Sequence, residues 1–314
     1  MSSSEQHRSV SDNERGSEVT KQTIFMTPSR LKVSAVLLIM YQVLVMKFFP
    51  FVSKTKMSHM MSKIGRERSH FLAVFSVQIV FRTLLVFLFE RLYRHRSLDV
   101  FKAQQNKRWL FLEDPEKYEK LRKETYYNYF TKLLPAVLFG LILTYRSGKK
   151  SRIDTKFPSV WEMFYQINCS LLIVDFAFYF VHRFIFHNKN FYHHHKDHHS
   201  FVNTTVHASL RMSVIDYFIE IIIPGAIGPR LFDMHMFTFI LYMITGNAVG
   251  IMSHAGYIFP FKMFNMQFPV NEILGKSNNL EHELHHNTFN TNFSAMSVIP
   301  DVVFGTTANK KDIE

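Results

Sequence analysis

Cysteine is almost absent from this 314-residue chain: Cys169 is the only one, and it lies in an apolar run. No disulfide can close within the chain, and a cysteine metal site or a Cys–His nucleophile pair is disfavoured. Charge is also sparse, at 20% of residues against 47% hydrophobic. That balance disfavours a pair of soluble domains, which rarely carry long apolar runs. The first 22 residues (Ser2, Ser3, Ser4, Glu5, Asp12 and Glu14 among them) are polar and do not read as a cleavable leader. They are expected to form a disordered tail. No internal repeat is found apart from a histidine signature.

The sequence is rich in Phe, with 33 residues, and in positive charge, with a formal net charge of +12. Nucleic acid is disfavoured as a partner, because the basic residues sit between apolar runs rather than on one soluble face. Anionic lipid head groups account for them more simply.

Leu31 to Val52 is long and apolar enough to span a bilayer, with Lys32 and Lys47 near its ends. Phe71 to Phe89 is a second span. It carries Arg82, which should face protein or reach an interface. Arg91 to Tyr127 is polar and amphipathic, and is expected outside the membrane or along its surface. Leu133 to Tyr145 is a third apolar segment and Trp161 to Phe186 a fourth. Val214 to Ile227 and Phe232 to Met252 read as a hairpin broken at Pro224, Gly225, Gly228 and Pro229. The expected organisation is a polar tail over 1–30, spans and amphipathic connectors over 31–160, and a catalytic unit over 161–314. The expected fold class is an all-α, multi-span membrane helical bundle with a histidine-rich two-metal site at the membrane face. Basic connectors do not settle the orientation.

Ten of the 17 histidines fall at informative spacings: His182, His187, His195, His198, His199, His207, His254, His282, His285 and His286. H-x-x-H-H occurs twice, at His195–His198–His199 and at His282–His285–His286. Residues three and four apart share a helix face, so each triplet can present its rings together. Histidines beside apolar spans cost burial energy unless they are paired or metal-bound. Imidazole suits iron, copper, zinc and nickel. Ten histidines are too many for one tetrahedral zinc, and two ions fit better. Asp175, Asp197, Glu281 and Glu283 are expected to orient the rings.

These residues resemble the fatty acid hydroxylase or sterol desaturase superfamily of membrane di-iron oxygenases, over roughly Asp175 to Thr307. Asp175 to Arg183, with Tyr179 and His182, is similar to the family's first histidine box. His195-Lys-Asp-His198-His199 resembles the second and His282-Glu-Leu-His285-His286 the third. His254-Ala-Gly256-Tyr257-Ile-Phe-Pro260 resembles its H-x-G-Y-x-x-P element. Asp301-Val-Val-Phe-Gly305-Thr306 resembles its closing D-x-x-x-G-T. Phe289-Asn290-Thr-Asn292-Phe293 is similar to cholesterol 25-hydroxylases, and His207 to C-4 methylsterol oxidases. The resemblance implies two histidine-bound iron ions per chain and O2. It also implies a lipid substrate, sterol favoured, and electrons from NAD(P)H through a separate donor such as a cytochrome b5-type protein with its reductase. It implies an endoplasmic-reticulum membrane enzyme with the boxes facing the cytosol, and no catalytic residue beyond the ligands and the groups around them. Hydroxylation, methyl oxidation and desaturation all remain open.

One position departs from the family. Its first box is H-x-x-x-H, but Phe186 stands where the second histidine is expected, and His187 follows. At 100° per residue, four residues is about 40° around a helix and five about 140°. Either the helix ends or bulges near Phe186, or the site has lost a ligand. The competing reading is therefore a non-oxidative membrane protein: a zinc-binding scaffold, a transporter or a catalytically dead relative. A transporter would place His or Asp midway along its spans, whereas these histidines cluster at span ends.

Overall fold

The computed structural model describes residue 59 and residues 65–139, 158–258 and 278–308. The polar tail, the expected first span and the end of the third apolar segment lie outside the described residues. Every regular element described is helical, with one isolated β-bridge between Lys102 and Tyr257.

Three described helices are long and apolar enough to cross a membrane: Phe71–Leu92, Val160–Phe186 and Met236–Ser253. The first joins α1 (Arg66–Phe75) through a π turn to α2 (Arg82–Leu92). Leu84, Phe87 and Leu88 of α2 face outward, as lipid-facing side chains do. Arg82 does not: it is buried among protein groups. The polar stretch that follows forms α3 (Pro115–Asn128), started by Asp114, whose side chain accepts from the Lys117 N–H.

α4 (Val160–Val181) is capped by Ser159, whose hydroxyl accepts from the Glu162 N–H at 3.0 Å. Its buried residues include Met163, Gln166, Ile167, Ser170, Leu171, Val174, Asp175, Phe178 and Tyr179. That three-and-four alternation is one helix face. In lipid, apolar area alone does not drive helices together, so close approach between small residues matters more. Gly228 supplies it: a Cβ there would lie 2.3 Å from the Ser170 hydroxyl.

Residues 214–231 form a turn of α-helix, a π segment over Tyr217–Ile222, and α6 (Ile223–Leu231); α5 (Tyr192–His195) precedes them in the chain. The expected break at Pro224 to Pro229 is not where the hairpin turns. Pro224 stands in the first turn of α6, where a missing N–H costs little. The chain reverses at 232–235 instead, with Asp233 at φ 42°, and enters α7 (Met236–Ser253). Then come α8 (Asn278–Thr288) and the short α9 (Ile299–Val303).

Candidate metal centre

Span ends and short turns deliver the histidines to one place. His182 opens a π turn, His182–Phe186, at the end of α4. The His187 N–H donates to the His182 carbonyl at 2.9 Å. That five-residue closure brings His187 back beside His182, with their Nε2 atoms 3.1 Å apart. Phe186 is fully buried and stacks on the His195 ring at 5.7 Å. The one-place shift of the second histidine is thus absorbed by a π bulge. His195 ends α5, and His198 and His199 lie on the 3-10 turn after it. His254 caps the end of α7, and α8 presents His282, His285 and His286.

Nine of the ten histidines fall into two groups. His182, His187, His195, His199 and His285 form one, and His198, His254, His282 and His286 the other; within each, the ligand nitrogens lie within 4.8 Å of one another. The groups adjoin, with the His199 and His286 rings 4.7 Å apart.

The proton positions show that each group fits a cation. The Nδ1 of His182 bonds the Phe293 carbonyl at 2.8 Å, and that of His285 bonds the Thr291 carbonyl at 2.7 Å. A carbonyl only accepts, so each Nδ1 carries the proton and each neutral ring has its lone pair on Nε2. Those two Nε2 atoms stand 3.1 Å apart, lone pair against lone pair. The second group repeats this. His198 and His254 donate from Nδ1 to Ala208 and Gly250 carbonyls, and their Nε2 atoms meet at 3.2 Å. Such contacts repel unless a cation lies between the rings. Bonds of about 2.1 Å at right angles would put neighbouring nitrogens roughly 3.0 Å apart, close to the separations seen.

Burial holds the rings neutral, as ligands must be. It pushes His198, His199, His282 and His286 well below the ordinary imidazole range. Burial likewise takes His187 to about 2 and His285 to about 3. His254 falls to about 4, mainly through burial, with the Arg82 charge adding to it.

The groups that orient the rings differ from those expected. His207 joins neither group: its Nε2 lies 2.8 Å from Glu90 Oε1, and its Nδ1 3.2 Å from the Tyr118 hydroxyl. Its segment points it toward α2 and α3, while the next carbonyl, that of Ala208, is the one that holds His198. Asp197 is exposed, and its main-chain carbonyl, not its carboxylate, takes hydrogen bonds from Ser200 and Arg211. Asp175 accepts from the Met296 and Ser297 N–H groups at 2.9 and 3.0 Å. Glu283 accepts from the Thr204 N–H at 3.1 Å and from Gln104. Both carboxylates fix loops rather than rings. Tyr179 pairs with Thr306 at 3.1 Å, and Glu281 is buried on α8.

Asp216 and Glu220 were missed by sequence reasoning. Asp216 accepts from His195 Nδ1 at 3.0 Å, and Glu220 lies 3.9 Å away. A carboxylate behind a ligating histidine fixes its tautomer. Two acids four apart in the apolar stretch from Val214 were the available signal.

The closing motif works through the same loop. Asp301 accepts from the Phe293 and Ser294 N–H groups, each at 2.8 Å, and from the Thr306 hydroxyl at 2.7 Å. It thereby holds the carbonyl that orients His182. Gly256 explains the glycine of the H-x-G-Y element: its φ is +68°, and a Cβ would lie 2.5 Å from the Thr204 carbonyl oxygen.

A cavity of 680 Å³ reaches the second group, with His198, His254 and His282 in its wall. It follows one stripe of α7: Phe239, Tyr242, Gly246, Asn247, Gly250 and Ser253. That stripe is about 21 Å long at 1.5 Å per residue. No Cβ at Gly250 would meet an atom within 4 Å, so the glycine widens the space near the histidines. Its volume and apolar lining suit a lipid-sized molecule.

Residues 167–306 match the fatty acid hydroxylase family. A candidate methylsterol monooxygenase of Dictyostelium discoideum is 33% identical over 154 residues, 48% of this chain and 53% of that one. Methylsterol monooxygenase 1-1 of Arabidopsis thaliana is 30% identical over 156 residues, covering 48% and 49%. A Delta(7)-sterol 5(6)-desaturase of Gibberella zeae is 28% identical over 149 residues, covering 48% and 39%. The chain thus spans about half, or less, of the length of these relatives. No solved structure matches it.

Proposed function

We propose that this chain, whose residues 167–306 match the fatty acid hydroxylase family, is a membrane-bound di-iron oxidase acting on a lipid, with a sterol favoured. The observation that carries the proposal is the pair of inward-facing histidine groups beside an apolar cavity. Two iron ions held there would supply the redox chemistry that activates O2 toward an aliphatic C–H bond.

The chain's own residues do the rest. In the five-histidine group, the carbonyls of Phe293 and Thr291 and the Asp216 carboxylate orient His182, His285 and His195 for metal. His198, His254 and His282 face the cavity, and with His286 they would hold a metal beside a lipid lying there. The stripe along α7, with Leu171 and Val174 of α4, would lay the carbon skeleton toward them and exclude water. Names of the relatives include both monooxygenases and a desaturase, and nothing in the ligand shell separates hydroxylation, methyl oxidation and desaturation. We propose hydroxylation as the working reaction, with electrons from NAD(P)H through a separate donor of cytochrome b5 type, at the endoplasmic-reticulum membrane with the boxes facing the cytosol.

The test is metal analysis of the purified full chain, joined to NADPH- and O2-dependent turnover of sterols with a donor and reductase supplied. About two irons per chain and an oxidised sterol are expected. Tightly held zinc with no oxidised lipid would favour the scaffold reading instead.

A further inference from the structure

Arg82 is a charged residue in the middle of a span, only 6% exposed. Its guanidinium lies between the Tyr129 and Tyr217 rings, 5.7 and 5.9 Å from their centres. One terminal nitrogen donates to the Tyr217 hydroxyl at 3.0 Å and the other to the Ser209 carbonyl at 3.1 Å. Its Nε, also buried, has no hydrogen-bond partner. Among the described residues, no carboxylate pairs with it in an ion pair. A buried, unpaired guanidinium costs several kcal/mol, so such groups usually mark a ligand or a missing partner.

Its position says which ligand. Arg82 lines the same cavity as His198 and His254. It holds the carbonyl of Ser209, and the preceding carbonyl, of Ala208, takes the His198 Nδ1 proton. Arg82 is therefore at the histidine end of the cavity, while the exposed Arg230 and Asp233 stand at the other end. Local acids cannot balance this charge as well as the metals. Asp216 lies behind His195, and Glu220, 3.9 Å from the same ring, also reaches the cavity wall, where both would face the charge of bound metal.

We propose that Arg82 anchors a carboxylate carried by the lipid, so that the cavity takes an acidic lipid with its charged end beside the four-histidine group and its apolar body along α7. This rests on the oxidase reading for its placement of substrate, but acidic-lipid binding needs no turnover. Arg82 lies outside the family-matched residues 167–306, so it is a specificity residue of this chain's own N-terminal part. A guanidinium is suited to this because it offers a planar fork to both carboxylate oxygens and never loses its charge.

The test uses metal-loaded full-length protein in phosphatidylcholine nanodiscs. A fluorescent fatty acid is displaced by hexadecanoate or methyl hexadecanoate, and in a second arm by cholenic acid or its methyl ester. In at least one arm, the acid is expected to displace the probe at a concentration about tenfold lower than its ester, the scale of one charge-assisted hydrogen-bonded pair. The arm that shows it identifies the skeleton as acyl or sterol. Arg82→Met should abolish the preference, and Arg82→Lys should keep part of it. Acid and ester competing equally in both arms, or a preference that survives Arg82→Met, would overturn the proposal. So would failure of the fluorescent acid to bind. The wild-type comparison decides even if Arg82→Met does not fold. Loss of iron or of O2-dependent turnover in the wild type would instead count against the oxidase reading.

Discussion

The two histidine groups are built differently. In the five-histidine group three rings are fixed from behind: His182 and His285 by loop carbonyls, and His195 by Asp216. None of its members lines the cavity. In the four-histidine group, His198 and His254 are tied to carbonyls, but neither nitrogen of His286 has a hydrogen-bond partner. That ring is held by packing against His198 and His199, each with ring centres 4.7 Å away. Three members of this group face the cavity. One group has five histidines and is shut off from the cavity, while the other has four and opens into it. This is the division expected where one metal stays fully ligated and its neighbour keeps room for reactants.

Removing a ligand gives the largest expected effect on this contrast. His285→Ala should cut turnover by more than about a hundredfold and lower bound iron toward one ion per chain, exceeding the ten- to hundredfold typical of outer partners. Two irons and full turnover in that variant would break the assignment of the closed group. Next is Asp216→Asn, which should weaken metal at the five-histidine group by about ten- to hundredfold while sparing the other. A metal-competition titration resolving two affinities reads this; equal weakening of both sites would erase the distinction.

Acid should act on both groups. His254 and His285 are held at about 4 and about 3 in the fold, against an ordinary value of 6.5. Below that value the unfolded chain takes up protons that the folded site refuses. Stability is therefore full above pH 6.5 and falls as pH drops through about 4 toward 3. Bound iron and melting temperature followed across this window should fall together, and stability that rises on acidification would contradict the sign. The smallest change should come from His207→Gln. With its partners Glu90 and Tyr118 partly retained, about 1 kcal/mol of stability is expected to go, leaving both irons in place. Loss of one iron would return His207 to the ligand set.

Much of this was legible because the signals were periodic. The face of α4 from Met163 to Tyr179 and the two H-x-x-H-H triplets follow helical spacing, and spans and ligands follow from it. What did not show in the sequence depends on which way a short turn points. His207 looked like its neighbours, yet the 3-10 turn over Val206–Leu210 sends its ring to Glu90 and its neighbour's carbonyl to His198. The ring-orienting groups were hard to find because most are main-chain carbonyls, which every residue has. Asp216 and Glu220 were findable as acids in an apolar stretch, but the proline and glycine residues that follow drew the expected break to the wrong place.

The π turn from His182 to Phe186 changes how such a site should be searched for. It brings His187, five residues on, to within 3.1 Å of His182 at Nε2, so the spacing of two ligating histidines along a helix need not be three or four. A pattern that fixes three intervening residues would discard this chain, whereas one admitting three or four would keep it. A histidine shifted by one place at a span's end need not be a lost ligand, because one hydrogen bond changing its register returns its ring to the group.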